Sequence, residues 1–211
     1  MHMNWNSSAL LIIDMQNDFA KTSGSAYIEG TAGMTKNLAG MAGLFRAKNR
    51  PVIHIVRLYF EDGSNAELCR RPLIQEGTKM VVPGSEGARI VSDLLPAGAV
   101  AYSDEDLLKG QIIRLDEQDY VAYKPRWGAF YRTNLDSWLR NAGIDSLVVA
   151  GCNFPNCPRT TVFEASERDY HLAIVPETIS KIYTKGVEEL QAIGVNVLDM
   201  DGLKSALDKI G

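Results

Sequence analysis

Three side chains with the chemistry of a hydrolase each lie near the end of a short apolar run. They are the carboxyl group of Asp14, the ammonium group of Lys124 and the thiol of Cys157. A thiolate can attack a carbonyl carbon, a carboxylate can carry the proton, and an ammonium can hold two negative groups together. These residue types would therefore suffice for thiol-dependent hydrolysis if the fold brings them together.

Cys157 lies between an apolar run and a segment with helical period. A helix that begins near Cys157 favours the thiolate through its free N–H groups and its dipole, which lowers the pKa of the thiol. Pro158 fits the first turn of such a helix, where its missing N–H leaves no bond unmade. We therefore expect iodoacetamide near pH 6.5 to label Cys157 ahead of Cys69 and Cys152. The alternative is a small buried cysteine that fills the junction between strand and helix.

Asp14 and Lys124 also admit two interpretations each. Asp14 ends a strand, so its carboxyl group is partly buried and needs a partner; it is either a general base or the cap of a turn. Lys124 precedes Pro125, which disfavours a helix at that point. It either orients the aspartate and the cysteine or is a solvated surface lysine.

Six apolar runs rich in β-branched residues are typical of strands buried on both faces. They are residues 9–13, 51–56, 120–123, 146–151, 171–175 and 195–198. Segments with helical period lie between them, at 31–48, 133–141, 157–169, 185–192 and 202–209, the last with Asp201 as its N-cap. This alternation predicts an α/β fold: a three-layer, doubly wound, mainly parallel six-stranded sheet of the Rossmann type with helices on both faces.

No repeat or linker divides the chain, so residues 1–211 are predicted to form a single domain. Ligands of a doubly wound sheet bind beyond the carboxyl ends of its strands, which is where the polar residues fall. The irregular stretch 61–84 contains several glycines and prolines. A long loop of this kind within a compact domain is typically functional.

Composition excludes several classes of protein. The chain has a net charge of −4, 45% hydrophobic and 23% charged residues, and no run of lysine and arginine, so no nucleic-acid partner is expected. Its apolar runs are too short for a membrane span or an export signal. Three cysteines without zinc-ligand spacing indicate free thiols in a reducing compartment. We therefore expect a cytoplasmic protein.

Three motifs, taken together and in order, carry a resemblance to a known family. The segments 11–19, 124–130 and 151–161 resemble the aspartate motif, the lysine motif and the nucleophile elbow of the isochorismatase-like cysteine hydrolases. The resemblance extends from about residue 9 to about residue 180. It implies the same α/β fold and a homo-oligomer, either dimer or tetramer.

The resemblance also implies roles for individual residues. Cys157 would be the nucleophile, Asp14 the general acid and base, and Lys124 their electrostatic partner. A cis peptide bond at Cys152–Asn153 would shape the elbow, and the N–H groups of Asn153 and Cys157 would form an oxyanion hole.

The chain departs from the family pattern in two places. The elbow has Phe154 and Pro155 where Thr-Asn is usual, so the peptide between them is a second candidate for unusual geometry. The nicotinamidase branch binds a metal through an aspartate and two histidines after the second strand, whereas here His54 stands alone within that strand. This predicts an amidohydrolase without a metal site or cofactor.

The predicted activity is cleavage of a C–N bond, in an amide, ureide or carbamoyl group of a small molecule, through a thioester. The alternatives are hydrolysis of a vinyl ether with Asp14 as proton donor, and a non-catalytic binding protein of the same fold. Arg57 would bind a substrate carboxylate or pair with an acidic residue at 61 or 62. The candidate substrate-binding residues are Gln16, Phe19, Tyr27, Arg57, Tyr59, Asn65, Trp127 and Phe130.

Overall fold

A computed structural model describes residues 2–210, and seven strands of this region form one sheet. The strands are β1 (Ser8–Ile13), β2 (Val52–Val56), β3 (Ile113–Arg114), β4 (Asp119–Tyr123), β5 (Ser146–Gly151), β6 (His171–Ile174) and β7 (Asn196–Val197). Their order across the sheet is β3-β4-β2-β1-β5-β6-β7. All neighbouring pairs are parallel except β3 and β4.

The predicted α/β class and mainly parallel sheet are confirmed, but the predicted number of six strands is wrong. The additional strand is β3, which pairs antiparallel with β4 at the edge of the sheet. It is two residues long and its exposed Arg114 breaks any apolar run, so periodicity gives no sign of it.

Residues 2–210 form eight α-helices, which connect the strands or cover the sheet. They are α1 (Asn17–Ala20), α2 (Thr31–Ala47), α3 (Arg71–Gln75), α4 (Asp104–Leu108), α5 (Leu135–Asn141), α6 (Cys157–Ser166), α7 (Thr184–Ala192) and α8 (Met200–Leu207). None of them combines the length and hydropathy needed to cross a bilayer.

The last helix differs from its prediction because its cap is another aspartate. The side chain of Asp199, and not that of Asp201, accepts a hydrogen bond from the N–H of Gly202, at 2.7 Å. The helix therefore begins at Met200, two residues before the predicted start.

Alternate residues of β1 supply the cores on the two sides of the sheet. Leu10 and Ile12 belong to a cluster that includes Leu38 and Phe45 of α2, whereas Leu11 belongs to the opposite cluster. The second cluster is completed by residues of α5, α6 and α7. The centre of the sheet is thus dry on both faces and holds the ends of its strands in fixed positions.

The central strands end side by side. Ile13 at the end of β1 is in register with Ile55 of β2 on one side and with Gly151 of β5 on the other. β4 lies beside β2, with Tyr123 in register with Val56. The segments that follow β1, β2, β4 and β5 therefore leave the sheet along the same edge.

The approach of β5 to β1 depends on a glycine. Gly151 has a φ of +112°, and a Cβ built there would lie 2.2 Å from the carbonyl oxygen of Ile13 and 2.6 Å from its nitrogen. A side chain cannot be accommodated without moving two central strands apart, because both contacts are with backbone.

We expect Gly151→Ala to lower the free energy of unfolding by about 2 kcal/mol or more, since it adds a backbone clash to an unfavourable φ. Denaturant unfolding measures this change. The matched control is Gly43→Ala on the exposed face of α2, where no atom apart from the neighbouring backbone of the helix itself lies within 4 Å of the added Cβ. It should raise the free energy by roughly 0.5–1 kcal/mol. Equal stability of Gly151→Ala and the parent chain would contradict the close packing.

Candidate active site

Asp14 turns the chain out of the sheet immediately after β1. Its N–H donates to the carbonyl of Ile55 at 2.8 Å, and its own carbonyl accepts from the N–H of Gln16 at 2.8 Å. The thiol of Cys152 donates to the same carbonyl at 3.1 Å. Asp14 has a φ of 53°, in a left-handed region that aspartate tolerates better than most residues. The turn buries the carboxyl group beside the ends of β2 and β5.

Lys124 occupies the equivalent position after β4 and is 1% exposed. Its ammonium group contacts three acceptors: Asp14 Oδ2 at 2.9 Å, the carbonyl of Arg126 at 3.2 Å and Cys157 Sγ at 3.4 Å. Burial by itself lowers the pKa of Lys124, but the negative charge of Asp14 and the sulfur of Cys157 outweigh it, and the pKa is raised. The alternative of a solvated surface lysine is therefore wrong.

Cys157 is the first residue of α6, as the sequence predicts, but its ionisation is opposite to the expectation. Burial, followed by the negative charge of Asp14, raises the pKa of the Cys157 thiol to about 12. Lys124 acts in the other direction and is outweighed. Ionising the thiol would place two negative groups around one ammonium, so the resting site holds a neutral thiol, a carboxylate and an ammonium.

The elbow before Cys157 presents two backbone donors. The Cys152–Asn153 peptide bond is cis, and the Phe154–Pro155 bond is not. The N–H of Phe154 donates to Ser180 at 2.8 Å, which fixes the turn. The N–H groups of Asn153 and Cys157 donate to no acceptor within residues 2–210, and both residues line the cavity described next. They are free to bind an oxygen that gains charge.

A small cavity opens above the thiol, and about 30 Å³ of it is open to the centre of a water-sized molecule. It combines apolar and aromatic walls with a few polar groups. Its lining residues are Asp14, Phe19, Ile28, Arg57, Tyr59, Arg70, Lys124, Trp127, Cys152, Asn153, Asn156 and Cys157. Four of the predicted substrate-binding residues are among them: Phe19, Arg57, Tyr59 and Trp127.

Gln16, another predicted substrate-binding residue, is fully buried away from the cavity. Its amide nitrogen donates to the carbonyls of Arg57 and Ala88, each at 2.8 Å, and its amide oxygen accepts from the N–H of Arg57 at 2.8 Å. The side chain has no capacity left for a substrate and instead ties the turn after β1 to the end of β2.

Tyr27, Asn65 and Phe130 do not line the cavity either. The residue next to Tyr27, Ile28, lines the cavity instead. The side chain of Asn65 bridges its own loop, donating to the carbonyl of Leu58 and accepting from the N–H of Phe60, each at 2.9 Å. Phe130 is buried in the core beneath α6. The aromatic or amide character of a residue does not by itself distinguish a cavity-lining residue from a core residue or from one that stabilises a loop.

Arg57 is held by protein groups although it borders the cavity. It is 2% exposed, its Nε lies 3.4 Å from Glu67 Oε1, and its other nitrogens donate to the Tyr123 hydroxyl at 3.0 Å and the carbonyl of Asn65 at 2.9 Å. Its guanidinium group also lies 4.1 Å from the centre of the Tyr59 ring. The acidic partner is Glu67 and not either of the predicted residues 61–62. These bonds assign Arg57 to bracing the loop.

Four cavity residues were not predicted: Ile28, Arg70, Cys152 and Asn156. Asn156 and Cys152 lie in the elbow itself, so their proximity to Cys157 in the sequence was an available signal. Arg70 lies in the irregular stretch 61–84, which the sequence predicts to be functional, but the residue singled out there is Asn65. Ile28 carries no chemical signal, because an isolated apolar residue is most often core.

His54, the histidine considered for a metal, is engaged elsewhere. Its Nε2 lies 3.2 Å from Asp119 at the start of β4, and Arg46 makes a bidentate contact with the same carboxylate. Burial lowers the pKa of His54. Within residues 2–210 no group of three or more histidine, cysteine or acidic side chains is arranged to hold a metal ion.

The family model of the Isochorismatase domain matches residues 8–102 and 103–201. A probable inactive nicotinamidase from Arabidopsis thaliana is 32% identical over 201 residues, covering 92% of this chain and 93% of its own. Maleamate amidohydrolase from Pseudomonas putida is 24% identical over 198 residues, covering 92% of this chain and 78% of its own.

The crystal structure of an isochorismatase family protein from Desulfovibrio vulgaris has the same fold. It superposes with a TM-score of 0.80 at 33% sequence identity, covering 96% of this chain and 99% of the other. The family model spans most of the sequence, including the three segments that carry Asp14, Lys124 and Cys157. The chain therefore belongs to the family of isochorismatase-like cysteine hydrolases.

Proposed function

We propose that this protein hydrolyses a C–N bond, in an amide, ureide or carbamoyl group of a small molecule, through a thioester on Cys157. The observation that carries the proposal is the ammonium group of Lys124, which contacts both Asp14 Oδ2 and Cys157 Sγ beneath the cavity. Maleamate amidohydrolase, a relative at 24% identity, supports the amide class by its name.

A route for the thiol proton is built into the resting site. Asp14 Oδ2 is bound to Lys124, whereas Asp14 Oδ1 is buried and has no hydrogen-bond partner within residues 2–210. A buried carboxylate oxygen without a partner is a ready proton acceptor. The raised pKa of Cys157 disfavours a thiolate in the free site, and we propose that this transfer accompanies attack on the substrate.

In the first half of the reaction, the sulfur of Cys157 bonds to the carbonyl carbon while its proton passes to Asp14. The carbonyl oxygen gains the negative charge and is stabilised by the N–H groups of Asn153 and Cys157. Asp14 then gives the proton to the substrate nitrogen, the C–N bond breaks, and the amine or ammonia leaves. A thioester on Cys157 remains.

In the second half, water replaces the amine. Asp14 takes a proton from the water as its oxygen bonds to the thioester carbon, and the same oxyanion donors stabilise the intermediate. The C–S bond then breaks, the acid product leaves, and the proton on Asp14 returns to the sulfur of Cys157. Lys124 remains an ammonium throughout, so its charge compensates whichever neighbour is negative.

Two other functions fit the fold less well. Vinyl-ether hydrolysis would use a neutral Asp14 as proton donor, which would give up its ion pair with Lys124 at 2.9 Å and leave the thiol without a role. A non-catalytic binding role is suggested by the relative named a probable inactive nicotinamidase. The contacts among Asp14, Lys124 and Cys157 favour catalysis, because binding alone does not need them.

We further propose a cytoplasmic homo-oligomer, a dimer or tetramer, that needs no metal or cofactor. Trp127 and Tyr131 are 38% and 41% exposed near the cavity and offer apolar contact area. Light scattering that gives only the 23.2 kDa of one chain would refute the oligomer. Stoichiometric zinc or iron by elemental analysis, with turnover lost on chelation, would refute the absence of a metal.

We expect Cys157→Ala to abolish turnover, with a loss of about 10³-fold or more, since the other thiol in the cavity lining, Cys152, is fully buried and donates to the carbonyl of Asp14. A mass-spectrometric screen of small amides, ureides and lactams for release of ammonia or amine identifies a substrate for the assay. The control is Cys69→Ala, which removes an exposed thiol and should leave the rate unchanged. Near-normal turnover by Cys157→Ala would exclude the thioester and favour acid catalysis by Asp14.

We expect Asp14→Asn to lower the pKa of Cys157 below the parent value of about 12, because it removes the negative charge that disfavours the thiolate. Alkylation of Cys157 by iodoacetamide at pH 8, followed by peptide mass spectrometry, should become faster. Turnover should fall by about 10²–10⁴-fold, the usual contribution of a general acid and base.

The companion variant is Lys124→Met, which removes the cation and should slow the same alkylation. Opposite signs in the two variants identify an electrostatic effect on the thiol, which general loosening of the site would not produce. Slower alkylation in Asp14→Asn would show instead that the carboxylate activates the thiol before substrate binds, contrary to the raised pKa.

A further inference from the structure

Arg70 is a cavity residue whose charge is not committed to the protein. It lies just before α3 and lines the cavity that holds Cys157. Its guanidinium group forms no salt bridge and no hydrogen bond with any residue from 2 to 210. Most partly buried arginines of the chain do have such partners, so the guanidinium group of Arg70 is free to bind an anionic ligand.

The other charges of the cavity cancel. Asp14 and Lys124 form one ion pair, and Arg57 pairs with Glu67 behind the wall. Asp14 is the only acidic residue in the lining within the described chain, whereas three cations reach it. Arg70 therefore leaves the cavity with an excess positive charge, and a confined cavity of one sign attracts the opposite sign.

The loop that carries Arg70 is fixed in advance. The carbonyl of Asn65 accepts from Arg57 and from Arg126, each at 2.9 Å, and the N–H of Arg70 donates to the carbonyl of Glu67 at 2.9 Å. The carboxylate of Glu67 accepts from the Tyr59 hydroxyl at 2.7 Å. These bonds form without a ligand, so a ligand that binds Arg70 does not have to order this loop at the expense of its own binding free energy.

We propose that Arg70 determines specificity by binding a carboxylate of the substrate. The preferred substrate is then a small ω-amido or ω-ureido carboxylate, with the scissile carbonyl over Cys157 and the anionic end on Arg70. A guanidinium group suits this role, since its parallel N–H groups match the two oxygens of a carboxylate. Ile28 and Trp127 supply apolar wall for the carbon chain between the two ends. This inference rests on the proposed function and narrows it.

The test compares amides that differ only at the far end, using the Cys157→Ala variant so that nothing is turned over. Calorimetry measures binding of the pairs succinamate and butanamide, and glutaramate and pentanamide, in which a carboxylate replaces a methyl group. We expect at least one carboxylate to bind about tenfold or more tightly than its neutral partner. Adding Arg70→Met should abolish that preference, and Arg70→Lys should keep part of it.

The matched control is Arg114→Met, which removes an exposed arginine on the edge strand β3 and should leave the preference intact. Thermal unfolding of each variant checks that the fold is kept. The proposal is overturned if neither pair shows a preference for the carboxylate, or if the preference survives in Arg70→Met.

Kinetics with Cys157 present separate this inference from the proposed function. If the carboxylates bind in an Arg70-dependent way but no amide is turned over, the proposed hydrolase activity is refuted. The carboxylate site is then still supported. If neutral amides are turned over as efficiently as their carboxylate partners, and Arg70→Met changes neither rate, the carboxylate site is refuted. The proposed hydrolase activity is then still supported. We expect Arg70→Met to lower kcat/KM about tenfold or more for the carboxylates only.

Discussion

The buried ammonium of Lys124 is the charge around which the site is built. An ammonium that is 1% exposed is stable only if each of its donors finds an acceptor, and removing one partner of such a pair typically costs about 3–5 kcal/mol. Its acceptors come from three places: Asp14 after β1, the sulfur of Cys157 at the start of α6, and a backbone carbonyl. The ends of β1 and β4 and the start of α6 must therefore meet at one point for the ammonium to be stable there.

The same constraint sets the protonation state of the Cys157 thiol. One ammonium can compensate one negative charge, and Asp14 already supplies it at 2.9 Å. The thiol of Cys157 accordingly stays neutral, with its pKa raised to about 12 despite its place at a helix start. The helix dipole and the lysine both favour the thiolate, yet burial and the adjacent carboxylate together are stronger. A site of this kind protects its thiol until a substrate brings a carbonyl that can take the charge.

Sequence patterns identified the features that follow from periodicity and order. Six strands, the start of α6 at Cys157 and the convergence of Asp14 and Lys124 follow from apolar runs and from the geometry of a parallel sheet. The pKa of Cys157 could not be predicted, because its sign depends on a competition between burial and charges that only distances resolve. Gln16 could not be placed for a related reason: it follows a strand, as a site residue does, but its amide is consumed by backbone groups.

Arg57 and Arg70 show how far residue type can lead before contacts are known. Both are cavity arginines, and the sequence offered only Arg57 as a candidate, either for a substrate carboxylate or for a salt bridge to an acidic neighbour. In the structure Arg57 pairs with Glu67 and donates to the carbonyl of Asn65 in the loop. The same loop carries Arg70, whose guanidinium group has no protein partner among the described residues. In the proposed function, the sheet fixes the catalytic groups, whereas a loop braced by a buried ion pair fixes the charge proposed to select the substrate. Such a division lets one family keep its chemistry while its substrates change.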